Sequence, residues 1–302
     1  MFRFISLLSF SLFIACQNEK APAAEITPYD VLDYRKVKLV LDTMNAERRA
    51  QFDSTGTYTI EYTELSNGNK QLIFIGTSHT RNVDDPQFKL LAEKFRKMKP
   101  QIAFNEGGEI EKNKRYESIN AGILGNGETG VLKYLCDSIG IDMQNGDMET
   151  KDEFKELLKT IPQDQVYLYM AIERFLNGYH DGYFGKKSLE QSFQEDFIDY
   201  LHENEFPLTE EERSLDYLKA IYKKYLNEDL DPDHILPVHD YYLIDDGLFG
   251  DVGRRTKIVR DEALLRKIDS ALDKYDRVFV VFGGSHRIAV EPALKQIIQK
   301  HR

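Results

Sequence analysis

Two stretches of this chain end an apolar run in the same way. "QLIFIGTSHT" runs from Gln71 to Thr80 and "VFVVFGGSHR" from Val278 to Arg287, and in each a glycine is followed three residues later by a histidine. A third run, "QIAFNEGG", carries Glu106 just past its apolar residues. His79, Glu106 and His286 make a set of two imidazoles and one carboxylate. Such a set can bind a divalent metal ion, or divide the roles of base, orienter and acid in hydrolysis. Ser78 and Ser285 precede the histidines, but "GTSHT" and "GGSHR" lack the second glycine of the Gly-x-Ser-x-Gly elbow, so neither serine is expected to be a nucleophile.

These residues can act together only if the fold brings both ends of the chain to one place. The pattern of elements suggests how. "TYTIEYTELSNGNKQLIFIG" alternates apolar and polar residues around Asn67-Gly68, a hairpin signal, and Leu72 to Ile75 reads as a strand buried on both faces. Asp85 is a good N-cap and Pro86 suits the first helical position. Phe88, Leu91, Ala92, Phe95 and Met98 then follow at helix spacing until Pro100. With "QIAFN" as the next strand, this is a parallel strand–helix–strand unit. "TGVLKYLCDSIG" predicts a helix capped by Thr129, and "IDMQNGDME" a third strand with Asp147 and Glu149 just past it. A helix over Arg254 to Lys274, the strand "RVFVVF" and a last helix from Ala289 complete the pattern.

The fold expected is therefore α/β: a mostly parallel central sheet flanked by helices, with a helical insertion over about residues 151–228. In an open parallel sheet the strand C-termini share one edge, and ligands bind in the crevice there. His79, Glu106 and His286 each follow a predicted strand, so all three belong on that edge. Gly76 and Gly283 are expected to let the backbone turn off the strands and to leave room for a ligand.

Other groups are less pointed. "GNGETG" (Gly125 to Gly130) follows no clear strand and reads as a turn. His234 and His239, with Asp233 and Asp240, are metal-capable donors on a proline-containing stretch that reads as a solvated loop. Tyr179, His180 and Tyr183 lie in the Gly- and Tyr-rich interruption "NGYHDGYFGKKS", either as pocket residues or a tyrosine ligand to haem iron, or as aromatics capping a helix.

Two Gly-x-x-His motifs, each at a strand end near opposite ends of the domain, with a glutamate after the next strand, resemble the superfamily that joins TraB/GumN-type proteins, Tiki metalloproteases, erythromycin esterases and ChaN-like haem-iron lipoproteins. The resemblance covers about Thr57 to Glu109 and Arg254 to Leu294. It implies that His79, Glu106 and His286 form the site, and that an arginine at an "RDxxM"-like helix start joins them. "IVRDEALLRKI" offers Arg260 and Asp261, with Leu264 where methionine is common. Arg260 would then be an anion clamp, because guanidinium stays charged and donates bidentately. The superfamily contains hydrolases, metal-dependent peptidases and binding proteins. A divalent ion such as Mn, Co or Zn is implied by the first two, and haem by the ChaN-like reading.

Composition bounds the rest. The chain has 302 residues, 41% hydrophobic and 30% charged, with no tryptophan and a net charge of −11. That balance argues against nucleic acid or an anionic membrane surface as the partner. "MFRFISLLSFSLFIAC" reads as a secretory signal, and Phe13-Ile14-Ala15-Cys16 resembles a bacterial lipobox with Cys16 as the lipidated residue. Residues 1–16 are thus expected to be a lipoprotein signal, 17–28 a polar tether, and 29–302 one α/β domain. Removing residues 1–15 takes away one charge, that of Arg3, and leaves −12. Membrane association would be through the lipid alone. Cys136, the other cysteine, falls on an apolar helix position and has no intrachain partner. The combined expectation is a lipid-anchored hydrolase of the bacterial cell envelope, cleaving an ester or amide bond in a small-molecule or peptide substrate. The opposing expectation is a haem- or iron-binding lipoprotein.

Overall fold

The last strand of the chain lies in the middle of the sheet. The computed structural model describes residues 29–107, 110, 113–232 and 246–301. Its strands are β1 (Tyr62–Asn67), β2 (Lys70–Thr77), β3 (Ile102–Asn105), β4 (Met143–Asn145) and β5 (Arg277–Gly283), in the order β1-β2-β5-β3-β4. β1 and β2 form the expected antiparallel hairpin, with Asn67 opposite Lys70. β2, β5, β3 and β4 run parallel to one another, so the sheet is mostly parallel as expected. β5 pairs with β2 on one side and β3 on the other, with Gly76 opposite Phe282 and Thr77 opposite Gly283. The two Gly-x-x-His motifs therefore leave adjacent strands side by side.

Alternation along these strands divides the core. Leu72, Phe74, Phe104, Val278, Val280 and Phe282 face the long helix α10 (Leu248–Lys274) and the final helix α11 (Gly284–Lys300). Ile73, Ile75, Ala103, Phe279 and Val281 face α2 (Pro86–Met98) and α3 (Ile119–Ile139) on the other side. This is helix, sheet, helix in three layers. α2 begins as read: the Asp85 side chain accepts from the Gln87 amide and Pro86 opens the helix. Cys136 is fully buried in the α3 layer, as its position predicted.

α1 (Tyr34–Thr55) precedes the hairpin. From Thr150 to Leu226 the chain is mostly helical, as expected: α4 (Thr150–Leu157), α5 (Gln163–Met170), a π-helical turn (Ala171–Leu176), α6 (Asn177–His180), α7 (Leu189–Ser192), a second π-helical turn (Phe193–Ile198), α8 (Asp199–Glu203) and α9 (Leu215–Leu226). Its apolar residues form a core of their own, joined to the sheet domain through Tyr34, Val37, Val252, Ile288 and Ala289. Among the described residues no helix is long and apolar enough to cross a membrane. Cys16, and the metal-capable set Asp233, His234, His239 and Asp240, lie outside the described residues.

Three boundaries differ from the sequence expectation. α11 starts at Gly284 rather than Ala289, so His286 sits in its first turn; a Gly-Gly start has low helix propensity and hides the boundary. α10 starts at Leu248 rather than Arg254. α3 starts at Ile119 and is broken at Asn126 and Gly127, so "GNGETG" holds both the turn and the start of the helix that "TGVL" predicted.

Candidate functional site

The sheet edge gathers more carboxylates than the sequence suggested. Glu106 leaves β3, with its amide bonded to the Val281 carbonyl of β5. Its Oε2 accepts a short hydrogen bond from the Gly283 amide at the start of α11. Its Oε1 accepts from Arg260 Nη2 at 3.1 Å and lies 3.5 Å from His286 Nε2. A carboxylate at a helix N-terminus is favoured by the unpaired amides and the helix dipole. The arrangement explains a glycine: a Cβ at Gly283 would lie 2.9 Å from Glu106 Oε2. At Gly76 a Cβ would lie 3.1 Å from the Arg287 side chain and from Gly284 Cα. The room at both glycines, expected to serve a ligand, is taken by the protein's own side chains and backbone.

His286 is held from behind. Its Nδ1 lies 2.6 Å from Asp261 Oδ1, and Tyr34 donates its hydroxyl to Asp261 Oδ2 at 2.7 Å while standing 3.1 Å from the same Nδ1. Asp261 is 0% exposed, and a carboxylate can only accept, so Nδ1 carries the proton and Nε2 is left facing Glu106. Burial, and then the charge and hydrogen bond of Asp261, push the Tyr34 hydroxyl well above its ordinary value, so Tyr34 stays a donor.

His79 repeats the device with different parts. Its Nδ1 lies 2.5 Å from Glu128 Oε1. Glu128 begins the second half of α3, and it reaches His79 because the helix breaks at Gly127, whose φ of 54° suits glycine and whose missing Cβ would lie 2.9 Å from the Thr80 carbonyl. The loop itself is clamped by buried Gln87, which accepts from the Ser78 amide and donates to the Ser78 carbonyl, both at 2.9 Å. The His79 side chain is 70% exposed, in contrast to His286. The hydrogen bond to Glu128 raises its pKa above the ordinary imidazole value, against the opposing effect of burial.

Arg260 is committed inward. Its Nε and Nη2 donate to Asp147 Oδ1 and Oδ2 at 2.7 and 2.5 Å, and Nη2 also reaches Glu106. Asp147 follows β4, and Lys267 donates to its carbonyl and to that of Asn145. Burial would lower the pKa of the guanidinium, but the hydrogen bond and charge of Asp147 and the charge of Glu106 raise it. Burial would raise the Glu106 carboxyl; His286, Arg260 and the Gly283 amide outweigh it and hold the carboxyl at about 2. Glu106 is therefore an anion at any physiological pH and too weak a base to take a proton from water.

The structure thus brings Glu106, His286 and Arg260 into one contact network, with His79 close enough to act electrostatically on Glu106. Tyr183, in contrast, is 79% exposed on the helical region. Asp147 and Asp261 stood beside recognised positions in the sequence. Tyr34, Gln87 and Glu128 carried no signal, since each reaches the site only through packing between helices.

Do these residues fit a metal ion? With Nδ1 held on Asp261, His286 presents Nε2 to a carboxylate oxygen at 3.5 Å. A proton or a cation between the two would satisfy both, and ligand distances near 2.0–2.2 Å on each side would span such a gap. Carboxylates behind both imidazoles are the usual outer support of metal-binding histidines. Among the described residues, however, no group of three or more His, Cys, Asp or Glu side chains is drawn together tightly enough to share an ion. The donor pair fits; among the described residues no third donor is drawn up to it.

No family model, curated protein or solved structure matches this chain.

Proposed function

We propose that the chain is a hydrolase of the TraB/Tiki/erythromycin-esterase kind, lipid-anchored through Cys16 in the bacterial cell envelope, on the periplasmic side or at the outer membrane, acting on an ester or amide bond. The observation that carries this reading is the pairing of each imidazole with a buried carboxylate on Nδ1, which leaves both Nε2 nitrogens at one sheet edge.

His79 is the general base. Its raised pKa and its exposure suit proton transfer to and from water, whereas Glu106 is too acidic. Water oxygen bonds to the carbonyl carbon as its proton passes to His79 Nε2. The carbon–oxygen or carbon–nitrogen bond then breaks, and the proton moves from His79 to the departing oxygen or nitrogen. Arg260 Nη1 makes no hydrogen bond to a described residue and supplies donors to the developing oxyanion. Glu106 fixes Arg260 and His286 relative to each other. If a divalent ion is bound, His286, Glu106 and His79 would hold it, His79 Nε2 then being a ligand in place of the base, and it would supply Lewis-acid activation of the water or the carbonyl.

Full-length protein purified in detergent, assayed on a panel of esters and peptides with and without Mn, Co or Zn, tests this. Turnover that disappears in His79→Ala is the expected result. Absence of turnover under every condition, with a Soret band on haem addition that is lost in His79→Ala, would overturn the proposal in favour of a haem-binding lipoprotein.

A further inference from the structure

A small cavity adjoins the site through Arg260. It lies between the helical region and α10, lined by Glu153, Glu173, Arg174, Thr256, Lys257 and Arg260 among others, with a volume of about 30 Å³. That admits one or two water-sized groups. Glu153 is only 5% exposed, and its carboxylate makes no hydrogen bond to any described residue. Burial raises the Glu153 carboxyl above its ordinary value; Arg260, Arg174 and Lys257 oppose this through space without touching it, and Asp147 adds to it. An unpaired buried carboxylate is costly, so the gap between it and these cations is a place for a bridging group.

The lining charges differ in exposure: Glu153 is buried, Glu173 and Lys257 are half-buried and Arg174 is exposed. Neither Arg174 nor Lys257 has a hydrogen bond or ion pair with a described residue. Glu173 and Arg174 are supplied by the π-helical turn Ala171–Leu176, and π-helical turns concentrate at functional sites because they re-aim side chains at the cost of helix geometry.

We propose that this cavity is a recognition subsite taking an α-amino-acid head group, with the ammonium seated on Glu153 and the carboxylate at the mouth on Arg174 and Lys257. Calling it a substrate subsite rests on the hydrolase reading; the binding itself does not. A simple anion would leave Glu153 unpaired and be repelled by it. A simple cation would leave the two mouth cations unpaired and meet their repulsion. A zwitterion satisfies both ends, and an ammonium matches the small interior.

Isothermal titration of the full-length protein in detergent with glycine, acetate and methylammonium tests the assignment. Glycine is expected to bind saturably, and at least about tenfold more tightly than either single-charge probe, as loss of one charge-assisted contact predicts. Glu153→Gln and Arg174→Gln are each expected to weaken glycine binding by a similar factor, while His79→Ala leaves it unchanged. Glu153→Gln removes a buried charge and keeps the size, so it should fold at least as stably as the parent; exposed Arg174→Gln provides a check that does not touch the interior. No saturable glycine binding, equal binding of acetate, or binding indifferent to both substitutions would overturn the proposal. Glycine binding with no turnover of any ester or peptide would sink the hydrolase reading alone, and turnover without glycine binding would sink the subsite alone.

Discussion

Replacing Glu106 by glutamine should cost stability in a way that depends on pH. The Glu106 carboxyl is held at about 2 against an ordinary 4.5. At 1.36 kcal/mol per tenfold change in proton affinity, that displacement is worth about 3 kcal/mol of folding free energy. Because the folded pKa is depressed, the contribution is complete above pH 4.5 and is lost as pH falls from there toward 2. Glutamine keeps the size and can still accept from the Gly283 amide, so what disappears is the charge facing Arg260 and His286. Arg260 stays paired with Asp147, which limits the damage to the Glu106 term. Urea unfolding followed by circular dichroism should show the variant about 3 kcal/mol less stable near neutral pH, with the gap closing as the acid range is entered. A variant as stable as the parent at neutral pH, or a gap that persists unchanged toward pH 2, would refute the assignment of Glu106 as an anion held by its neighbours.

Three further outcomes follow from the same network. Asp261→Asn should release the His286 tautomer, read by imidazole ¹⁵N shifts, and lower turnover by about 10–100-fold, as loss of outer-shell support does. Glu128→Gln should lower the His79 pKa toward the ordinary imidazole value, since the carboxylate stabilises the imidazolium. If His79 must be unprotonated to act, the acidic limb of the kcat/KM profile then moves to lower pH, and an unmoved limb would exclude His79 as the base. Gly283→Ala should cost about 1–3 kcal/mol in thermal or urea unfolding, because the added methyl meets Glu106 Oε2 at 2.9 Å and forces the carboxylate off the amide.

Much of this protein is local enough to be read from residue order. The Asn-Gly hairpin, the Asp85-Pro86 helix start and the apolar strands at Leu72, Ile102 and Val278 depend on turn chemistry, capping and side-chain periodicity within a few residues, and each appears where those rules place it. The same strand logic put His79, Glu106 and His286 at strand ends, hence at one edge of a parallel sheet. Which strands are neighbours is not local. Only the tertiary structure inserts β5 between β2 and β3, and that insertion makes the two Gly-x-x-His motifs adjacent. Nor does any short-range rule show that Gly283 makes room for Glu106, that Tyr34 reaches Asp261 from α1, or that a break at Gly127 turns Glu128 toward His79. Those contacts join groups distant in sequence, and they are chosen by how helices pack on the sheet. The types of the side chains at this edge were thus set by the sequence; their surroundings and partners were decided by packing, because burial and neighbouring charge act through space.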